Sequence, residues 1–138
     1  MENIQDTIQS AKENMPDVTP TPPSLKRQSS STELKSRLDW GEPALTIVDV
    51  RDRHSFNEER IMGAIAMPMA ELVERAQSSL EPTRDIYVYG ESDEETAQAA
   101  THLREAGFVN VAELKGGLAG WKAISAPTEG TATIAAAR

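Results

Sequence analysis

One stretch constrains the fold of this chain more than any other: Ile86-Tyr87-Val88-Tyr89-Gly90-Glu91-Ser92-Asp93-Glu94-Glu95-Thr96. Ile86 to Tyr89 are β-branched or aromatic and read as a buried strand. The polar loop after them leads directly into an Ala-rich helical pattern from Thr96 to Gly107, with Leu103 and Ala106 on one face. A strand end that feeds a helix start aims backbone N–H groups and the helix dipole into one small volume. Ligands of α/β proteins gather at such places.

The remaining pieces repeat this grammar. Leu45-Thr46-Ile47-Val48-Asp49-Val50 is nearly continuous in apolar character, which predicts a central strand buried on both faces, as in a parallel sheet. Before it, Ser31-Thr32-Glu33-Leu34 offers an N-cap to a short helix with Leu34 and Leu38 on one face, ended by Gly41 and Pro43. Arg51 to Arg60 is polar and predicts a turn of helix around Phe56. Ala64 to Met67 reads as a short strand closed by Pro68, and Met69 to Gln77 as a helix broken before Ile86 by Pro82. After the helix at residues 94–106, Gly107 is a stop signal; Val109, Val111 and Leu114 mark a further strand. Gly116-Gly117 forms a turn before a last helix from Leu118 to Ile124 that carries Trp121, a residue expected in the core. Strands alternating with helices predict a parallel sheet with helices on both faces and right-handed crossovers.

The chain has 138 residues, enough for one ordinary domain. A hydrophobic content of 38% and a mean hydropathy of −0.47 leave part of it without core material. That part is expected at the ends. Pro16, Pro20, Pro22 and Pro23 lie among Ser and Thr, a composition that cannot offset its ordering entropy. Residues 1–32 therefore read as a flexible tail, 33–127 as the domain and 128–138 as a second frayed end. Within the first tail, Met1, Ile4, Ile8, Ala11 and Met15 form a stripe on one face of a marginal helix, either nascent or made to dock on a partner. Lys26-Arg27-Gln28-Ser29-Ser30 has the form of a phosphorylation site for a kinase that favours basic sequences. No apolar run approaches the roughly 18 residues of a membrane helix, and no basic start followed by an apolar stretch marks a secretory signal. The cytoplasm is the expected location. The net charge of −8 argues against nucleic acid as a partner. The absence of cysteine excludes disulfides, thiolate catalysis and Cys-based metal sites.

Four of these pieces, in order and in register, resemble the rhodanese-like domain family: Ile47-Val48-Asp49-Val50-Arg51; Ile61-Met62-Gly63-Ala64-Ile65-Ala66-Met67-Pro68; Ile86-Tyr87-Val88-Tyr89; and Leu114-Lys115-Gly116-Gly117-Leu118-Ala119-Gly120-Trp121. The resemblance covers roughly residues 33 to 127. It implies an α/β, rhodanese-like fold: a central parallel sheet of four or five strands with helices on both faces. It also implies a sulfur-transfer site in the loop after Tyr89, where active members carry a nucleophilic Cys that holds a persulfide. Gly90 stands at that position, so covalent sulfur transfer has no side chain to run on. Glu91 and Glu95 stand where basic residues are common, with Ser92, Asp93 and Glu94 between them and Thr96 after them. Arg60 replaces the family's His ahead of Gly63-Ala64.

Like charges a few ångströms apart cost about 1 to 4 kcal/mol at effective dielectrics of 80 to 20, so this loop disfavours thiosulfate, persulfide, phosphate and arsenate. Three readings of its carboxylates stay open. They cap the helix, with Ser92 as N-cap and Glu95 closing a capping box; they meet a basic partner; or they hold a divalent cation. His54 and His102 are expected at the surface and make no metal motif. Asp49 and Arg51 are expected to pair and to orient loops at the edge of the site. The expected function is a non-catalytic rhodanese-like module that binds a protein or regulates, a monomer without cofactor or metal, whose partner presents a basic surface. The alternatives are a sulfurtransferase working by an atypical route and a regulator whose phosphorylated tail docks.

Overall fold

The computed structural model describes residues 25–41 and 44–131. The amphipathic stripe from Met1 to Met15, the proline cluster and Pro43 lie outside them. In chain order the elements are β1 (Gln28–Ser29), α1 (Ser31–Asp39), β2 (Leu45–Asp49), α2 (Arg53–Glu58), β3 (Arg60–Ile61), β4 (Ile65–Ala66), a 3-10 turn at Met69–Glu71, α3 (Leu72–Ser79), β5 (Asp85–Tyr89), α4 (Asp93–Glu105), β6 (Val111–Leu114), α5 (Gly117–Ala123) and β7 (Thr128–Glu129). Five strands form one parallel sheet in the order β1-β6-β5-β2-β4, and β3 pairs antiparallel with β7 beside it.

The three central strands β2, β5 and β6 are largely apolar because they are buried on both faces, and side chains alternate between those faces. Val48, Ile86, Val88 and Val111 pack on one side with Leu72 and Ala76 of α3 and with Ala99, Ala100 and Leu103 of α4. Ile47, Tyr87, Tyr89, Ala112 and Leu114 pack on the other with Leu34 of α1 and Trp121 of α5. Trp121 is fully buried and donates its indole N–H to the Pro127 carbonyl at 2.7 Å. Small residues on α4 let that helix lie close to the sheet, which is why Ala-rich sequence suits it.

The ends of the domain differ from the compositional reading. Gln28 and Ser29 belong to the sheet: Glu113 and Lys115 donate backbone N–H groups to the Arg27 and Ser29 carbonyls at 2.9 and 2.8 Å. Thr128 and Glu129 likewise pair with Ile61 and Arg60. Both are two-residue strands held by backbone bonds, so their side chains carry no alternation to read. Helix α1 starts one residue earlier than expected. Ser30 is its N-cap and forms a reciprocal capping box with Glu33, a Ser-x-x-Glu spacing that fits the sequence better than a cap at Ser31. Within the basic phosphorylation-like motif, Ser29 is therefore buried in β1 and Ser30 is the cap of α1. Val109 is 70% exposed and precedes β6 rather than belonging to it.

In the sheet β2 is flanked by β4 on one side and β5 by β6 on the other, and Asp49 is in register with Tyr89. The chain leaves these two neighbouring strand ends in opposite directions, which opens a crevice between their loops.

Candidate functional site

On the β2 side of the crevice the loop is built on a buried ion pair. Asp49 is fully buried and Arg51 is 8% exposed. Arg51 donates from Nη2 to Asp49 Oδ2 at 2.8 Å and from Nε to Oδ1 at 3.1 Å, and its backbone N–H reaches Oδ1 at 2.9 Å. A further Nη2 bond goes to the Glu59 carbonyl at 2.6 Å. Burial by itself would lower the Arg51 pKa; the hydrogen bonds and charge of Asp49 outweigh it and raise it. The guanidinium also lies 5.6 Å from the centre of the Tyr89 ring. The Tyr89 hydroxyl accepts the Ile61 N–H at 3.2 Å. Burial first, and then the Asp49 carboxylate, push its pKa far up and keep it neutral.

On the β5 side, the loop from Gly90 to Thr96 is tied by its own side chains. Gly90 donates its N–H to Thr96 Oγ1 at 2.8 Å, and that hydroxyl donates to the Ser92 carbonyl at 2.9 Å; Thr96 is 1% exposed. Ser92 is the N-cap of α4, accepting the Glu95 N–H at 3.1 Å. The reciprocal half of the expected capping box is shifted by one residue: Glu95 Oε1 accepts the N–H of Glu91, at 2.7 Å, rather than that of Ser92. The Glu95 side chain thus folds back over Gly90. A Cβ placed on Gly90 would lie 2.5 Å from Glu95 Oε1 and 2.9 Å from its Cγ.

The four carboxylates do not share one mouth. Asp93 turns across the crevice, accepting the Gly116 N–H at 2.9 Å, with Lys115 Nζ 3.8 Å away. Glu95 turns inward, and Glu91 and Glu94 remain exposed. The crevice has a volume of about 410 Å³ and is lined by Arg51, by the loop from Gly90 to Asp93, and by Gly116, Gly117, Leu118, Ala119 and Lys122. Lys122 holds Glu59 at 2.8 Å, and together with burial in opposition and Thr128 in support it keeps the Glu59 carboxyl below its ordinary pKa.

Of the residues singled out from sequence, Asp49, Arg51 and the loop from Gly90 to Thr96 therefore come together at one edge of the sheet. His54 and His102 stay outside it: both are exposed, His54 lies 3.6 Å from Glu58, and His102 borders a groove between α3 and α4. Among the described residues no group of three or more His, Asp and Glu is placed to hold a metal ion, and no helix is long and apolar enough to cross a membrane. Glu59 and Lys122 escape sequence reasoning because their roles depend on a contact between residues far apart in the chain. The Gly116-Gly117 turn carried a signal, since Gly117 has a φ of +52°, and a Cβ there would lie 3.2 Å from the Gly90 carbonyl. The opposite wall of the crevice needs glycine.

A doubly covered parallel sheet with a strand-end crevice between an Asp-Val-Arg loop and a Gly-Gly turn defines a rhodanese-like domain. The family model for the rhodanese-like domain matches residues 30–124, and the chain belongs to that family, as a member without cysteine. It is 37% identical over 79 residues to the thiosulfate sulfurtransferase GlpE of Coxiella burnetii, covering 57% of this chain and 73% of that one. It is 30% identical over 97 residues to a sulfurtransferase of Allochromatium vinosum, covering 70% and 89%. Among solved structures, the crystal structure of the Alr3790 protein from Anabaena sp. shares 66% identity at a TM-score of 0.72, over 74% of this chain and 91% of that one. The solution structure of the rhodanese-like domain from the same Anabaena protein shares 62% identity at a TM-score of 0.76, over 79% and 83%.

Proposed function

We propose that this chain is a non-catalytic rhodanese-like module that binds a protein or regulates, with Gly90 at the position of the family's nucleophilic Cys. One observation carries the reading: the place where a side chain on residue 90 would begin is taken by the Glu95 side chain. The chain has no cysteine to carry sulfur by another path. Ser92 is no substitute nucleophile, because no base stands beside it: its hydroxyl caps the helix by accepting the Glu95 N–H, and both histidines lie outside the crevice. Sulfur transfer from thiosulfate to cyanide by the purified protein is the direct test. The expected result is thiocyanate no faster than with boiled protein; turnover above that control favours the alternative, an atypical sulfurtransferase, which the names of the relatives support.

The partner proposed is a protein with a basic surface. Most of the net charge of −8 falls between Glu33 and Pro127, and Glu91 and Glu94 point their charge outward beside the crevice. Attraction of this kind weakens with salt over a Debye length of about 8 Å at physiological ionic strength. Because Glu95 is turned inward, Glu91→Gln with Glu94→Gln is the change that removes outward charge without disturbing the loop. Affinity for a partner captured by the wild type should fall with this double change and with added salt. Unchanged affinity would leave the acidic loop as a helix cap alone.

A further inference from the structure

Near the start of β2, away from the crevice at its end, one edge of the sheet stays apolar and open. Strand β4 pairs only with Val48 and Asp49, so among the described residues Leu45 to Ile47 have no neighbouring strand on that side. A hollow of about 270 Å³ lies there, lined by Leu38 of α1, by Leu45, Met62 and Ile65, and by Arg84. Met62 and Ile65 are 49% and 46% exposed, and Leu38 and Leu45 are half-buried. Met62 also borders a second hollow of about 620 Å³ beside β7, which extends the surface. Arg84 brings a charge without a counter-charge. Its guanidinium donates to Thr46 Oγ1 and to the Leu45 carbonyl, both at 2.9 Å, and it enters none of the ion pairs of the described residues.

The sequence holds a stripe that matches this surface. Met1, Ile4, Ile8, Ala11 and Met15 lie outside the described residues, and their spacing places them on one face of a helix about 22 Å long. Apolar anchors three and four residues apart are how an amphipathic helix fills a groove. Among the side chains of residues 1–17, Glu2, Asp6, Glu13 and Asp17 stand against Lys12 alone, a charge opposite to that of Arg84. The connection is long enough. Leu25 packs on the same core cluster as Leu38 and Leu45. Gln28, Glu113, Val88, Val48 and Ile65 stand in one row across the sheet, so Gln28 lies four strand spacings, about 19 Å, from Ile65. Residues 16–24, with prolines at 16, 20, 22 and 23, can span about 28 Å at roughly 3.1 Å per extended residue.

We propose that residues 1–15 dock in cis, as a helix, on this apolar edge. The stripe fills the hollow between α1 and the turn that joins β3 to β4, and residues 16–24 are the tether. A tether of this length holds the segment at an effective concentration of roughly millimolar. A helix too short to persist alone is then stabilised by the face it covers. The hollow and the crevice share no residue, so docking holds whatever the crevice binds.

Paramagnetic broadening in the full chain tests this. The chain has no cysteine, so Ser10→Cys gives a nitroxide a single attachment point, on the side of the helix away from the stripe. With the nitroxide on, the amide signals of Leu45, Met62 and Ile65 should lose intensity, and the loss should be reversed when the nitroxide is reduced. Signals of Val73 and His102, in the groove between α3 and α4, should keep theirs. Ile4→Ser with Ile8→Ser in the labelled chain should abolish the loss. Met62→Ser with Ile65→Ser should abolish it at Leu45 and Gly63 from the other side of the contact, at two positions exposed enough for the fold to survive. No loss at all, loss spread evenly over the surface, or loss centred on Val73 and His102 overturns the proposal. So does a loss that persists in either double variant. Nitroxide-bearing chains mixed with isotope-labelled chains that lack the nitroxide should give no loss; a loss in that mixture would make the occupant a second copy and overturn docking in cis.

Discussion

The loops after β2 and β5 leave neighbouring strand ends, in register at Asp49 and Tyr89, yet they handle charge in opposite ways. The β2 loop buries a cation and an anion together and satisfies both. The β5 loop keeps its carboxylates near the surface and holds two of them, Asp93 and Glu95, each with one backbone N–H group. The first arrangement is rigid because breaking it strands a charge away from water. The second is held by single hydrogen bonds, each contributing about 0.5 to 1.5 kcal/mol net, or about 1.5 to 3 where a charged group takes part. One edge of the sheet therefore has a fixed wall and an adjustable one.

The largest expected effect breaks the fixed wall. Asp49→Asn leaves Arg51 buried without a counter-charge and should cost about 3 to 5 kcal/mol of stability, read as a lower midpoint in urea with an unchanged slope. A loss below about 1 kcal/mol would mean that Arg51 swings out to water and that the two loops are not so different.

A smaller loss is expected from the adjustable wall. Thr96→Val keeps shape but removes the hydroxyl that accepts from Gly90 and donates to Ser92. It should cost about 1 to 3 kcal/mol, the penalty for a buried donor left without acceptor, and should speed amide exchange at Gly90 while leaving exchange in β2 unchanged. Exchange rising equally in both strands would join the two walls into one cooperative unit.

The smallest effect concerns the tie from the end of the β2 loop to α5, across the crevice. The Glu59 pKa is lowered in the fold, chiefly by Lys122, from an ordinary value of 4.5. A lowered carboxyl pKa stabilises the folded state above the unfolded value, and the contribution is lost as pH falls through the folded value. Denaturation of wild type should thus show stability falling below about pH 4.5, and Glu59→Gln should flatten part of that fall. An identical pH profile for the variant would show that the Lys122 contact is not populated in solution.

Much of this was legible in the sequence. Continuous apolar runs at Leu45–Val50 and Ile86–Tyr89 announce strands covered on both faces, because burial on both sides leaves no polar position to alternate. The Ser92 cap and the Asp49–Arg51 pair were equally readable, since each is a local contact within a few residues. The short strands at Gln28–Ser29 and Thr128–Glu129 were not, because backbone bonds to a distant strand leave no mark on side-chain pattern. Four acidic residues within five positions, Glu91 to Glu95, looked like one charged mouth. The structure divides them, since a helix start turns successive side chains about 100° apart, sending Asp93 across the crevice and Glu95 back toward Gly90.

The sequence by itself determined the class of fold, the place of the loop and the loss of any sulfur nucleophile, for these depend on residue type and order alone. Which carboxylate faces which wall was decided by the tertiary structure. Asp93 needed the Gly116 N–H brought within 2.9 Å, and Glu95 needed Gly90 to leave a vacant volume over the strand end. Both are matters of distance between atoms, and a chain acquires those distances only when its strands lie side by side.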